Sequence, residues 1–230
     1  MELTNSKKIV HKNKITFGFN PGADIVLRLK ENVLLIEIDE ETYEMEFNFY
    51  GKHMAYNLAA AFIVCYLIGE DTNTIINKVP SLKLPSRRFY EEKRENDIIL
   101  VNDYAHHPTE IKAIINSIRL KYPASRVCVV YQGHTYSRTN AFLQDYVSAL
   151  SEADSVYIMP TFSSIREKEE NEYELLNASN KFKKYSREGI EKLLFEKNIV
   201  IAFLGAGDID NEFIFLIKKV NYWKHFLCML

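Results

Sequence analysis

Charge of one sign is what this sequence lacks first: 29 lysines and arginines stand against 31 aspartates and glutamates. A nucleic-acid-binding surface normally leaves a basic surplus, so no nucleic-acid partner is expected. Cysteine is scarce. Cys65, Cys128 and Cys228 lie far apart among apolar neighbours and without metal-ligand spacing. That argues against a disulfide framework and fits buried thiols in a reducing cytoplasm. Long hydrophobic runs are missing too. The longest, Leu58 to Ile68, falls short of the roughly 20 residues that cross a bilayer, so no membrane span is expected and the run reads as a buried helix. The opening MELTNSKKIVHKNK is polar and shows no signal-peptide pattern.

What is present is enough apolar matter for a core: 47% hydrophobic and 13% aromatic residues in a chain of 230. This length suits one large domain or two small ones. Residues 14–50 read as strands and turns. KITFGF precedes the turn residues Asn20, Pro21 and Gly22, and NVLLIEI and the strictly alternating YEMEFNF follow. Residues 54–69 read as a helix stopped by Gly69, and a shorter helix over about 72–79 ends near Pro80. SLKLPSRR, with two closely spaced prolines, reads as a linker.

Beyond it the rhythm changes to alternating strand and helix. DIILVND, RVCVVYQ, SVYIMP and NIVIAFLGAGDI are apolar strands, and Pro108 suits the first turn of a helix. A helix is expected from about Thr139 to Glu152, a polar loop at TFSSIREKEENEY and a last helix after the Gly-rich turn. Such alternation predicts an α/β fold with a Rossmann-like, mostly parallel sheet covered on both faces. Ligands then gather beyond the carboxyl ends of the strands. Polar clusters occupy three such ends: NDYAHHPTE, QGHTYSR at 132–138 and GAGD at 205–208.

Each cluster has a functional and a plain reading. Asp103 at a strand end suits a sugar's hydroxyls, or a helix cap or turn. His106, His107 and His134 together suggest zinc. Consecutive histidines point in different directions, however, and neither a His-x-x-x-His pair nor a Cys partner is present, so no metal ligand is assigned. Arg87, Arg88, Arg138 and Arg166 are cations suited to carboxylate or phosphate, or to covering apolar surface. GAGDID lacks the last glycine of a dinucleotide fingerprint, because Asp210 holds that position, and its modest reading is a tight turn with Asp208 capping a helix. Cys65 sits in too apolar a segment for a nucleophile. The NYWKHFLCML tail, with the only tryptophan, Trp223, is assigned no function.

Taken in order, the pieces resemble the Mur ligase family, and within it the branch that joins L-alanine to UDP-N-acetylmuramate. GKHMAYNLAAAFIV resembles the family's central-domain helix, SRRF the approach to its C-terminal domain, and NDYAHHPTEI and YQGHTYSRT its two histidine motifs. REK and GAGDI follow in the expected order. The resemblance spans about residues 14–219. It implies an ADP-forming ligase of peptidoglycan precursor synthesis, in which ATP phosphorylates a carboxylate and the amino group of L-alanine displaces phosphate. His53 and Asn57 would contact adenine, and Arg88 and Asp103 the ribose and phosphate side. Tyr104, His106, His107, His134 and Arg138 would face the muramyl carboxylate and alanine, with His107, His134 and Arg138 as the catalytic set.

The departures are specific. Asn102 and Ala105 replace an Asp and a Gly of the family pattern, and Gly133 and Thr135 replace a Pro and an Arg. A threonine supplies no guanidinium. No Gly-x-x-Gly-Lys-Thr/Ser loop occurs anywhere in the chain. The uridine-nucleotide domain and the Mg²⁺ ligands of the family are not recognised either. The expected organisation is a partial central ATPase-type domain at 1–85, a whole C-terminal domain at 86–220 and a tail at 221–230. The first of these is expected to show an unpaired edge and an exposed apolar face. Three readings stay open: a piece of an alanine-adding ligase, truncated or split from its P-loop portion, which a separate P-loop chain could supply; a stand-alone binding or regulatory module derived from one; and an unrelated metal-dependent hydrolase using the histidines.

Overall fold

The computed structural model describes residues 14–93, 97–162 and 174–227, with side chains up to residue 219. The chain divides into two compact units, Met1–Lys83 and Leu84–Leu230.

In the first unit a sheet runs in the order β1 (Phe17–Gly18), β2 (Ile25–Lys30), β3 (Val33–Ile38), β4 (Glu41–Glu46). Period-two alternation sorts its side chains. Ile25, Leu27, Leu34, Ile36, Ile38 and Met45 are buried on one face, while Arg28 and Glu37 pair on the other. The buried face meets α1 (Lys52–Leu67) through Ala55, Leu58, Ala59, Phe62 and Ile63. Gly51 precedes α1 at φ 94°, a conformation that favours glycine, and α2 (Thr72–Lys78) is capped by Asp71.

The second unit is a six-stranded sheet in the order β5-β6-β10-β7-β8-β9. These are β5 (Tyr90–Lys93), β6 (Ile98–Asp103), β7 (Arg126–Tyr131), β8 (Ser155–Ile158), β9 (Phe182–Lys184) and β10 (Ile199–Leu204). All pairs are parallel except the β5 edge, as the strand–helix rhythm predicts. Every residue of β6 and β10 is buried. Such strands need cover on both sides, and they have it. Ile99, Val101, Val129 and Ala202 pack on α3 (Pro108–Lys121) and α5 (Leu143–Leu150). Leu100, Val130, Ile201 and Phe203 pack on α7 (Arg187–Leu193) and α8 (Ile209–Leu227).

One helical expectation is corrected. The helix expected at 139–152 is two pieces, α4 (Tyr136–Ala141) and α5, separated by Phe142 at φ −122° and ψ 25°. Phe142 leaves helical geometry with its ring against that of His107. The polar stretch after β8 falls mostly outside the described residues; α6 (Glu174–Asn177) follows it. Among the described residues no helix is long and apolar enough to cross a membrane.

Candidate functional site

Chain order places the crevice. The strand β10 lies between β6 and β7, yet its helix α8 covers one face while α3 and α5 cover the other. Loops leaving in opposite directions from neighbouring strands open a crevice at their carboxyl ends. The three polar clusters, after β6, β7 and β10, meet there.

At the end of β6, Asp103 is 3% exposed and both carboxylate oxygens are engaged. Oδ2 accepts the Phe89 amide at 2.8 Å and Oδ1 the Ala105 amide at 2.7 Å. Burial raises its pKa above the usual aspartate value, and those two backbone donors and the Arg88 charge pull it back. Asp103 therefore fixes the turn that carries Tyr104 and the histidines. Arg87, at φ 58°, is bound into the next loop: its Nη2 donates to the carbonyls of Gly205 at 2.6 Å and Gly207 at 3.2 Å. Arg87 and Arg88 both lie over the Tyr104 ring, at 4.9 and 5.5 Å. Attraction of guanidinium to a ring face helps hold the half-buried Tyr104 ring in place.

The two histidines diverge. The His106 ring contacts Tyr104 at 5.5 Å and His134 at 5.9 Å, which bridges the β6 and β7 turns. His107 instead begins α3. Its Nδ1 lies 3.0 Å from the Thr109 hydroxyl, and its ring packs 5.4 Å from Phe142. Glu110 closes this capping box by accepting the amides of His106 at 3.0 Å and His107 at 3.2 Å. A Glu three residues into the helix was the sequence signal for that role.

On the β7 side Gln132 is the hub. Its Nε2 donates to Asp208 Oδ1 at 2.6 Å, and its Oε1 accepts the Ile209 amide at 3.0 Å. Asp208 was expected to cap the last helix; Gln132 reaches across to cap its first amide, and the Asp208 carboxylate holds Gln132. Gly133 and Thr135 lead into α4. A Cβ on Gly133 would meet the Thr139 hydroxyl at 2.9 Å, so a larger residue there requires the Thr139 side chain to shift. His134 pairs in a parallel bridge with Phe162 and stacks on it at 5.9 Å and 15°. Arg138 is half-buried and forms no salt bridge with a described residue. Its charge reaches the hydroxyls of Tyr131 and Tyr146, whose pKa values burial raises and Arg138 lowers. The Tyr146 hydroxyl donates to the His106 carbonyl at 2.7 Å, which links the two sides again.

Thr135 holds φ 70° and ψ 135°, a region costly for a β-branched side chain. Thr135→Gly should therefore stabilise the unit by about 1 kcal/mol in urea titration, after allowing for glycine's larger unfolded-state entropy. A loss of stability would show that the threonine side chain is itself held there.

His53 and Asn57 lie in the first unit, four residues apart on one face of α1, His53 half-buried and Asn57 exposed. Cys65 is half-buried on the same helix, and burial pushes the Cys128 thiol up to about 11. Arg166 and Cys228 lie outside the described residues, as does the side chain of Trp223. Among the described residues no group of three or more His, Cys, Asp or Glu side chains is placed to hold a metal ion.

Residues 87–207 match the family pattern described as Mur ligase, glutamate ligase domain. Over 165 residues the chain is 40% identical to a UDP-N-acetylmuramate–L-alanine ligase of Streptococcus pyogenes, an alignment that covers 70% of this chain and 37% of that protein. The solved UDP-N-acetylmuramate–alanine ligase of Thermotoga maritima superposes with a TM-score of 0.72 at 20% identity, over 90% of this chain and 48% of that one. A MurF ligase of the same organism, solved with ADP, gives 0.65 at 22% identity over 91% and 49%. At such identities the two structures attest the fold alone.

Proposed function

Since this chain belongs to the Mur ligase family, we propose that it is the C-terminal portion of an ATP-dependent, ADP-forming ligase that adds L-alanine to UDP-N-acetylmuramate, working in the cytoplasm on peptidoglycan precursors. The observation that carries this reading is the 40% identity to an alanine ligase over a stretch 165 residues long. The joined Tyr104–His106–His134 rim supports it. In this reaction ATP supplies the phosphoryl group that activates the muramyl carboxylate.

The residues present do not fit a whole triphosphate, because the sequence contains no Gly-x-x-Gly-Lys-Thr/Ser cradle. No Mg²⁺ ligand is assigned to this chain either. Its own contribution is positioning and charge. Arg138 is the cation for a carboxylate, with His134 and His107 as hydrogen-bonding groups of the same catalytic set, His107 acting from the start of α3. Tyr104 and His106 line the acceptor's path. Arg88 serves the nucleotide side, where Asp103 acts by fixing the turn, and His53 and Asn57 take the adenine. A P-loop-bearing portion, which these 230 residues do not contain, completes the enzyme.

The chain alone, mixed with ATP, UDP-N-acetylmuramate and L-alanine, should release phosphate at the background rate. Co-purified with a P-loop-bearing Mur ligase polypeptide, it should release phosphate only when both acceptor substrates are present, and Arg138→Ala should lower that rate at least tenfold. Release by the chain alone, well above background, would refute this division of labour. The missing cradle also favours a second reading, a binding module without catalysis, and a complex that forms but releases no phosphate would select it.

A further inference from the structure

Phe162 follows β8 by four residues, belongs to none of the three polar clusters and leaves 36% of its surface exposed. Its backbone is tied on both sides of His134. The Phe162 amide donates to the Gly133 carbonyl at 2.8 Å, and its carbonyl accepts the Thr135 amide at 3.0 Å. This parallel bridge sets the two side chains on one face, where their rings stack at 15°. His106 meets the same imidazole at 67°, so one neighbour of His134 lies nearly parallel to it and the other nearly across it. The contact of His107 with Phe142, by contrast, is tilted at 59°.

The turn after β10 supplies the room for the Phe162 ring. Gly207 lies outside the left-handed region, so what its missing side chain provides is space. A Cβ there would stand 2.8 Å from both Cβ and Cγ of Phe162. In a dinucleotide fingerprint the second glycine lets the chain approach a pyrophosphate. Here an aromatic side chain takes that approach, which gives GAGD a use that the nucleotide reading left unexplained.

We infer that Phe162 is a positioning residue for His134: its ring sets the plane of the imidazole, and Gly207 is glycine so that the ring can lie there. The inference deepens the proposed function and rests on its assignment of His134 to hydrogen bonding at the reacting carboxylate. The last torsion of a histidine side chain is broad and selects no single plane by itself. A ring governed by that torsion alone spends part of its time aimed away, and a small misplacement near reacting atoms costs rate out of proportion to its size. A flat neighbour narrows the torsion, because aromatic rings favour a limited set of mutual orientations. Phe162 has no side-chain group that donates or accepts a hydrogen bond, so its part in the reaction is exercised through His134.

The test reads the imidazole by NMR in the full chain, and the rate in the chain co-purified with a P-loop-bearing Mur ligase polypeptide. The wild type should show a cross-relaxation peak between the ring protons of His106 and His134, with His134→Gln identifying the signals. Phe162→Leu keeps an apolar side chain and the backbone bridge but removes the flat face. It should abolish that peak and lower kcat about tenfold or more, with the KM for ATP within about twofold of the wild type. Phe162→Tyr keeps the face and should retain both the peak and the rate. If Phe162→Leu melts below the assay temperature, Phe162→Met takes its place with the same two readouts. Absence of the peak from the wild type, or its persistence without the aromatic ring, would overturn the inference. So would its loss in a folded Phe162→Tyr, and so would a lost peak with kcat unchanged. A wild-type complex that releases no phosphate would count against the proposed function, and the peak would still decide whether Phe162 positions His134.

Discussion

Gly205→Ala is expected to lower the stability of the Leu84–Leu230 unit by about 3 kcal/mol, the upper end of what an added methyl costs in a packed site. A Cβ there would stand 2.8 Å from the carbonyl oxygen of Gln132, and backbone cannot step aside as a flexible side chain can. It would also touch the side chains of Gln132 and Ile209 at 3.3 Å. The damage would not stay local. The Gly205 amide donates to the Asp103 carbonyl at 3.2 Å and its carbonyl accepts Arg87, so a displaced residue 205 loosens the turns after β6 and β10 together. Hydrogen exchange at the β10 amides reads the opening free energy of this unit directly. Unchanged protection there would show that the strand ends can separate without cost.

Asp103→Ala should cost about 2 kcal/mol at neutral pH, because it leaves the Phe89 and Ala105 amides without their acceptor. The figure is a balance. Two charge-assisted bonds are lost, and the burial cost of the carboxylate is recovered with them. The pH dependence has a definite sign. Burial raises the folded-state pKa of Asp103 above its unfolded value. The folded state therefore holds the proton more tightly than the unfolded chain. The stabilisation that this proton provides is complete below the unfolded pKa and disappears as pH rises through the folded one. Between these limits the wild type should lose stability relative to Asp103→Ala as pH increases, and the two urea midpoints should draw together. A gap that widens with pH would mean that the backbone donors outweigh burial.

The strands that sequence made legible are those whose burial is one-sided or total. β6, β7 and β10 are nearly continuous apolar runs because helices cover both faces, and β3 and β4 alternate in burial because one face is wet. The strands left unread carry neither signal. β5 is YEEK, an antiparallel edge strand with no fully buried residue, and β9 is FKK, with one buried residue. In β2 the alternation stops at Leu27, and the exposed Arg28, Leu29 and Lys30 blur the pattern. At the site, the histidine turn was visible because its residues are chemically rare. The partners that hold it were hidden, since Arg87 and Gln132 act on loops 118 and 77 positions away along the chain. Their side chains meet those loops only once β10 has entered the sheet, and no local periodicity encodes that.

The placement of β10 sets the order in which this unit can be completed. β6 and β7 never pair with each other; each pairs with residues 199–204, which leave the ribosome after both. Until those residues arrive the nascent chain holds two half-sheets with a gap one strand wide between them, their inner edges unsatisfied. A stop codon just before Ile199 would remove less than a sixth of the sequence and with it the only bridge across the middle, so such a product should be a target for chaperones and proteases from the start.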